Sequence, residues 1–359
     1  MSNQQVNIGL IGAGWWGTTA HLPAIQQHPR AKMLAVQCRT AEKAQAVAAD
    51  FDVPHACVTA EELLALPGLD GVIIATTPNA HYEQAKAALQ RGIHVLVEKP
   101  MTITAAESEE LLALAAEKNV HFLVSCPWHY TSHGIETRRL LSEKAIGQVR
   151  MISMLMTNYV EGLYEGKSWT EIFGDNSTRE NAAMPYRTPN QNSYSDPKIA
   201  GGGQIYCQVS HAAAYLSFLT GAEPTEVFSR FLPEGADIDI YNALNLKLSD
   251  GTVVNLSSHG VSPPNSRTYE VRIFGDSGAI HLDLWKGLME VHRYPDGPIS
   301  LPPLKEEEIY LLHAPANNLV DCILGDATNG SPASTGVFAM KVIEAAVRSA
   351  RTGENVKLN

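Results

Sequence analysis

Basic side chains are in short supply in this 359-residue chain: 27 Lys and Arg stand against 38 Asp and Glu, a formal net charge of -11, and no stretch gathers the positive ones together. A phosphate backbone needs such a patch, so no nucleic-acid partner is expected. Long apolar runs are missing too, and none reaches the length of a bilayer span. The opening Met1-Ser2-Asn3-Gln4-Gln5 is polar and leads straight into a short apolar segment, so neither a secretory leader nor a membrane partner is expected. Cysteine is scarce. Cys38, Cys57, Cys126, Cys207 and Cys322 are odd in number and form no C-x-x-C pair, the pattern of reduced thiols in a cytoplasmic protein. Internal repeats are absent. Charged residues make up only 18% of the chain while 45% is apolar, which excludes a disordered protein and leaves material for two cored domains.

Glycine is where the chain becomes specific. Gly12-Ala13-Gly14-Trp15-Trp16-Gly17 follows an apolar segment, Val6 to Ile11, that reads as a buried strand, and precedes a helical segment, Thr18 to Gln27. A G-x-G-x-x-G at a strand-to-helix turn is the setting of a dinucleotide site. Gly12 allows the tight turn, Gly14 lets a pyrophosphate approach the backbone, and Gly17 lets helix and strand pack closely. The helix end offers amides to the phosphates, with Trp15 and Trp16 beside them. Strands and helices then alternate to Ser125: strands at 33–38, 71–76, 94–97 and 120–125, helices at 41–49, 61–66, 82–91 and 104–118. That alternation predicts an α/β fold with a doubly wound parallel sheet.

The ends of these strands carry the candidate ligands, because ligands bind outside the carboxyl ends of parallel strands. The second strand ends in Cys38-Arg39-Thr40, without the carboxylate that usually holds an NAD ribose. Arg39 can stack on adenine and meet a 2′-phosphate, with Thr40 helping; the alternative is an arginine on a solvated loop. The expectation is NAD or NADP, leaning to NADP. Thr76, Thr77, Pro78 and Asn79 end the next strand, with His81 just beyond, and Glu98-Lys99-Pro100 ends the one after. Lys99 there can hold a substrate hydroxyl by its charge, although spacing alone leaves a surface lysine equally open.

Together, the glycine loop, Thr77-Pro78-Asn79 with His81 and Glu83, Glu98-Lys99-Pro100 and His21-Leu22-Pro23-Ala24 resemble the Gfo/Idh/MocA oxidoreductase family, which includes glucose–fructose oxidoreductase and inositol dehydrogenase. The likeness covers nearly the whole chain. It implies a dinucleotide-binding domain at 1–125 and a substrate-binding and oligomerisation domain at 126–359, the latter a large open sheet with helices on one face and a second subunit on the other. A homodimer or homotetramer follows from the resemblance. The last helix is a candidate to pack back on the first domain.

The second half fits that pattern with departures. Trp128-His129-Tyr130 stands where the family often has an Arg-Phe pair lining the pocket, so Trp128 and His129 are candidate substrate contacts. His129 and His133 have i, i+4 spacing, but no acidic third ligand is near, and no metal is expected. A long segment, 159–200, is rich in Asn, Ser, Gly and Pro and carries Tyr159, Tyr164, Trp169, Phe173, Tyr186 and Tyr194. It suits a sugar ring, or simply packs on its own domain or a neighbour. Gly201-Gly202-Gly203 then opens a helix to Leu219, with an apolar stripe (Ile205, Val209, Ala212, Leu216) and a polar one (Gln204, Gln208, His211, Tyr215). Read alone, His211 is open between a structural histidine and a general base. The family pattern G-G-G-x-x-x-D-x-G-x-H places its catalytic His at His211 and its catalytic Lys at Lys99. Its Asp is Cys207 here and its later Gly is Val209, which leaves Gln208 or the long segment to replace the Asp. Beyond Pro224, five strands with Asp-Gly and Gly-Asp-Ser-Gly turns predict a mainly antiparallel sheet.

The resemblance therefore implies an NAD(P)-dependent dehydrogenase of a sugar, glycoside or cyclitol, taking a ring hydroxyl to a ketone with His211 as base and Lys99 stabilising the oxygen. Two alternatives remain: an NAD-dependent redox glycosidase, and a nucleotide-binding regulator without catalysis.

Overall fold

The computed structural model describes residues 5–173, 190–263 and 266–358. Of the aromatics singled out above, Tyr186 lies outside them. The chain divides into two compact units: one of Met1–Ser125 with the described parts of Gly166–Ser193 and with Leu312–Val337, the other of Cys126–Glu165, Tyr194–Leu311 and Phe338–Asn359.

In the first unit, six strands form one parallel sheet: β1 (Val6–Ile11), β2 (Ala31–Gln37), β3 (His55–Cys57), β4 (Gly71–Ile74), β5 (His94–Val97) and β6 (Phe122–Val124). Their order is β3-β2-β1-β4-β5-β6. The chain winds one way from β1 and then the other, so the crevice of a doubly wound sheet opens where β1 lies between β2 and β4. The strands are Val-, Ile- and Leu-rich because both faces are covered. The helices between them start on defined caps. Thr40 accepts from Lys43 N, and Thr59 with Glu62 and Thr104 with Glu107 close reciprocal capping boxes. Ile8, Leu10, Ile73, Leu96 and Leu123 share one core with Ala316, Leu319 and Val320 of the helix Ala314–Leu324. His28 Nε2 meets Asp321 at 3.1 Å, and Arg30 pairs with Asp326.

The second unit is built on nine strands: β7 (Val149–Thr157), β8 (Pro224–Leu232), β9 (Tyr241–Leu248), β10 (Val253–His259), β11 (Thr268–Gly275), β12 (Gly278–Asp283), β13 (Leu288–Arg293), β14 (Pro298–Ser300) and β15 (Val356–Lys357). The order is β14-β13-β12-β11-β7-β10-β9-β8-β15. β7 and β10 run parallel and every other pair is antiparallel. Burial alternates residue by residue along β9, the signature of a sheet with one covered face. The helix Ser210–Thr220 is buried on nearly every side. His211 and Tyr215 of its polar stripe are therefore interior. The sequence also missed the edge strands β13 to β15 and the parallel pair. Short helices, Glu161–Tyr164, Trp169–Phe173, Asn192–Ser195 and Pro197–Ala200, occupy part of the segment expected to be one long loop.

Candidate active site

The predicted site residues fall into two sets, one in each unit, and each is built from its own local structure. In the first unit the three glycines do different jobs. Gly12 has φ +85°, and a Cβ there would lie 2.7 Å from the Ala75 carbonyl carbon and the Thr76 amide nitrogen. A Cβ on Gly17 would come within 2.8 Å of Gly12 O. At Gly14 a Cβ would meet nothing within 4 Å. The chain's own packing thus demands Gly12 and Gly17, whereas at Gly14 it leaves open space. Thr18 N donates to Gly14 O at 2.9 Å, so the amides of the preceding turn stand ahead of the first helical bond. Residues Gly17–His21 form a π turn before the α-helix Leu22–Gln27, a local widening common at functional sites. This cradle fits a dinucleotide pyrophosphate.

Around it, the β2 end is held by Gln37, whose Oε1 accepts from Gly12 N (3.2 Å) and whose Nε2 donates to Val58 O (2.9 Å). Burial pushes the Cys38 thiol up to about 11, so it adds no charge beside Ala13. Arg39 is exposed at the same end. The Thr40 hydroxyl oxygen is engaged as the cap on Lys43 N. At the β4 end, Thr76 Oγ1 donates to Gln84 Oε1 (2.7 Å) and Thr77 Oγ1 to Asn79 Oδ1 (2.8 Å). Pro78 opens the helix Pro78–Gln90, earlier than the expected start, because proline at a first helical turn sacrifices no bonded amide. His81 is thereby on the helix and buried. Its Nδ1 faces Pro100 O at 2.9 Å and its Nε2 faces Thr76 O at 3.1 Å. Burial lowers its pKa against the pull of both carbonyls. A neutral imidazole donates to one of them at a time, and the ring braces the β4 and β5 ends together.

Glu98 is the hub of this unit's site. Its carboxylate, 8% exposed, accepts from Trp16 Nε1 at 2.8 Å, faces His21 Nε2 at 2.8 Å and accepts from Lys99 N at 3.2 Å. Burial alone would raise its pKa. The hydrogen bond and charge of His21, then Lys99 and Ser125, outweigh that and hold it below the ordinary value. Glu98 thus ties the glycine loop, through Trp16, to the strand end that carries half-buried Lys99. Trp15 packs edge-on against Trp16 (5.6 Å) and at a tilt against Trp169 (4.7 Å).

In the second unit, Pro127–Tyr130 is a 3₁₀ turn that buries Trp128 and His129. The Trp128 indole is ringed edge-on by His211 (5.3 Å), Tyr269 (5.0 Å), Trp285 (5.2 Å) and Tyr310 (4.7 Å). His129 stacks on Phe218 at 4.5 Å and is pushed down to about 3 by burial and then by the Arg138 charge. It is a neutral core histidine. Gly201 and Gly202 clasp the Tyr206 ring, and a Cβ on Gly203 would fall 2.1 Å from Asp239 O, so the triple glycine is demanded by packing. Ile205–Val209 is a second π turn, followed directly by Ser210–Thr220 with His211 in its first turn.

Beside Cys207 lies a polar network that the sequence did not reveal. Gln208 Nε2 donates to Cys207 Sγ (3.4 Å), and Gln208 Oε1 accepts from Asn158 Nδ2 (3.0 Å). Tyr164 OH donates to Gln204 Oε1 (2.7 Å), and Gln204 Nε2 to Ser258 Oγ (2.6 Å). Tyr164 also hydrogen-bonds Cys207. Asp239 accepts from the Gly203 and Ile205 amides (3.1 and 2.9 Å) and from Asn242, fixing the start of the π turn. Burial raises its pKa against those donors. Of these residues, Gln208 beside Cys207, Gln204 on the polar stripe and Tyr164 in the long segment carried a signal in sequence, whereas Asn158, Ser258, Asp239 and Asn242 did not.

Comparison with known proteins is consistent with this geometry. Residues 6–126 match the profile of an oxidoreductase family with an NAD-binding Rossmann fold, and 171–281 match the GFO/IDH/MocA C-terminal domain. An uncharacterized oxidoreductase of Synechocystis sp. is 32% identical over 216 residues, 60% of this chain and 52% of its own length, so the chain spans about half of that relative. A dTDP-3,4-didehydro-2,6-dideoxy-alpha-D-glucose 3-reductase of Saccharopolyspora spinosa is 26% identical over 296 residues, 80% of each chain. Among solved structures, levoglucosan dehydrogenase in complex with NADH and levoglucosan matches with a TM-score of 0.80 at 20% identity over 99% of both chains, a likeness of fold. No helix among the described residues is long and apolar enough to cross a membrane.

Proposed function

The chain belongs to the Gfo/Idh/MocA oxidoreductase family, and from that premise we propose that it oxidises a ring hydroxyl of a pyranose or glycoside to a ketone with NAD(P) as acceptor. The observation that carries this reading is His211, set edge-on to Trp128 within the wall of Tyr269, Trp285 and Tyr310. Aromatic faces suit the CH faces of a sugar, and an imidazole beside them suits the proton of its hydroxyl. When bound, the nicotinamide supplies the hydride acceptor. The amides after Gly12 hold the pyrophosphate, with Thr76 to Asn79 beside it. Trp16 and His21 fix Glu98, and through its backbone Lys99. Lys99 hydrogen-bonds the reacting oxygen and stabilises its developing charge, while His211 takes its proton. Gln208, Asn158 and Tyr164, clustered at Cys207, take over substrate contacts that the family assigns to an Asp. Arg39 favours a 2′-phosphate, so NADP is the better acceptor. Pairing of copies through the outer face of the nine-stranded sheet belongs to the same reading.

The test is turnover of Lys99→Met and His211→Ala on a panel of glycosides and cyclitols, with cofactor affinity measured in parallel. Loss of a positioned acid or base lowers kcat by about 10²–10⁴ with cofactor binding retained. Near-normal turnover in either variant overturns that residue's role, and far better turnover of free cyclitols overturns the glycoside assignment. Tighter binding of NAD than NADP overturns the reading of Arg39.

A further inference from the structure

β12 and β13 turn alternate side chains to opposite faces of the second unit's sheet. Leu282, Met289 and Val291 are buried, whereas His281, Glu290 and His292 face the other way. The register places His281 directly opposite Glu290, and His292 lies two residues beyond Glu290 on the same face, diagonal to His281. The two imidazole centroids are 5.0 Å apart. One ligand atom from each of the three side chains lies within 4.8 Å of the other two. Nε2 of both histidines is shielded from solvent and has no hydrogen-bond partner. Glu290 Oε2 stands 3.5 Å from His292 Nε2, longer than a well-formed hydrogen bond.

We propose that His281, Glu290 and His292 form a binding site for a zinc-class divalent cation. Two imidazoles and one carboxylate are the donor set of Zn²⁺ and its borderline neighbours, not of Mg²⁺ or Ca²⁺, which take oxygen. Ligand bonds of about 2.0–2.2 Å require the three atoms to close in, which side-chain rotation on a fixed strand pair supplies. The ladder between β12 and β13 holds the three Cα positions, so most of the ordering is already done by the fold. The cation gives each shielded ring nitrogen the partner it lacks. Three protein ligands leave one position for water.

The charges around the site permit this. Arg272, opposite His281 on β11, is the positive charge facing the pair, and Glu270 holds it at 3.4 Å. The Phe274 ring closes the near side of His281 at 5.9 Å. On the same face Asp283 is committed to Lys286 at 2.8 Å and is not a fourth ligand.

The experiment uses the full chain without a histidine tag, dialysed against chelator. Zn²⁺ is titrated in competition with a chromogenic chelator, and melting is followed with and without Zn²⁺. One Zn²⁺ per chain, with affinity reduced at least tenfold in His281→Gln, His292→Gln and Glu290→Gln and unchanged in His121→Gln, is the expected result. Zn²⁺ then raises the Tm of the wild type, EDTA reverses the rise, and the doubly substituted His281→Gln/His292→Gln chain shows none. All three side chains lie on the sheet face turned away from the unit's own core, and a metal-free Tm and oligomeric state equal to the wild type's confirm that the variants fold. Zn²⁺ affinity equal in wild type and double variant overturns the proposal, as does wild-type affinity weaker than about 1 mM.

Discussion

Alanine at Gly14 separates a glycine kept for a ligand from one kept for the chain. A Cβ at Gly14 meets no atom within 4 Å, and its backbone is not in the left-handed region. Without cofactor, Gly14→Ala therefore costs the fold nothing, and the stiffer unfolded chain contributes about 0.4–1 kcal/mol of stability. At Gly12 the same methyl lies 2.7 Å from three atoms of Ala75 and Thr76, at φ +85°. Overpacking of this kind costs roughly 1–3 kcal/mol, and the left-handed backbone of a non-glycine residue adds about 1 kcal/mol or more. The ligand reverses the ranking for Gly14, because the methyl fills the space through which a pyrophosphate reaches the amides. Displacing the phosphates so that one charged hydrogen bond is lost costs about 1.5–3 kcal/mol, which weakens binding roughly tenfold to a hundredfold. Urea unfolding of the cofactor-free variants, paired with titration of NAD and NADP, checks both halves. A Gly14→Ala chain that binds either cofactor as tightly as the wild type refutes the assignment of this loop to the pyrophosphate. A Gly14→Ala chain destabilised as much as Gly12→Ala refutes the packing argument.

Other outcomes follow from the titrating groups. Glu98 has a lowered pKa, so its contribution is complete above the ordinary carboxylate value of 4.5 and lost as pH falls below it. Glu98→Gln is expected to cost about 1–3 kcal/mol at pH 7 and to flatten the acid limb of a Tm–pH curve; an unchanged acid limb contradicts the hub role. His129 is pushed the same way, from 6.5 to about 3, and its neutral form is the one the core accepts. Its contribution is complete above pH 6.5 and shrinks as pH falls toward 3, by about 2 kcal/mol at pH 5. His129→Phe, which keeps the stack on Phe218, is expected to flatten stability between pH 7 and 5, measured by chemical denaturation. An unaltered slope contradicts burial as the cause.

Sequence alone exposed what is written in local chemistry. The glycine spacing, the strand–helix alternation up to Ser125 and the Asp-Gly turns beyond Pro224 are each short-range patterns with one physical reading. The rest depends on neighbours brought from afar. Nothing near His81 or His129 announces that both rings are buried, because their partners, Pro100 and Phe218, lie 19 residues away in one case and across the unit in the other. The π turn at Ile205–Val209 alters a periodicity that was read as 3.6, and Asp239, which anchors it, sits far down the chain. His281, Glu290 and His292 have no ligand spacing along the chain; the register of two strands brings them together.

The helix Ala314–Leu324 has a consequence for how this protein is made. Ala316, Leu319 and Val320 belong to the same core as Ile8, Leu10 and Ile73, yet almost the whole chain separates them. At about 5–20 residues per second, the first sheet leaves the ribosome many seconds before the helix that covers part of it. During that interval an apolar face of a parallel sheet, itself slow to form, stands open to chaperones or to other nascent chains. A fragment ending at Ser125 stays in that state, so excising the nucleotide-binding half as an independent module is expected to yield an aggregation-prone protein, and grafting 312–337 onto it is the remedy.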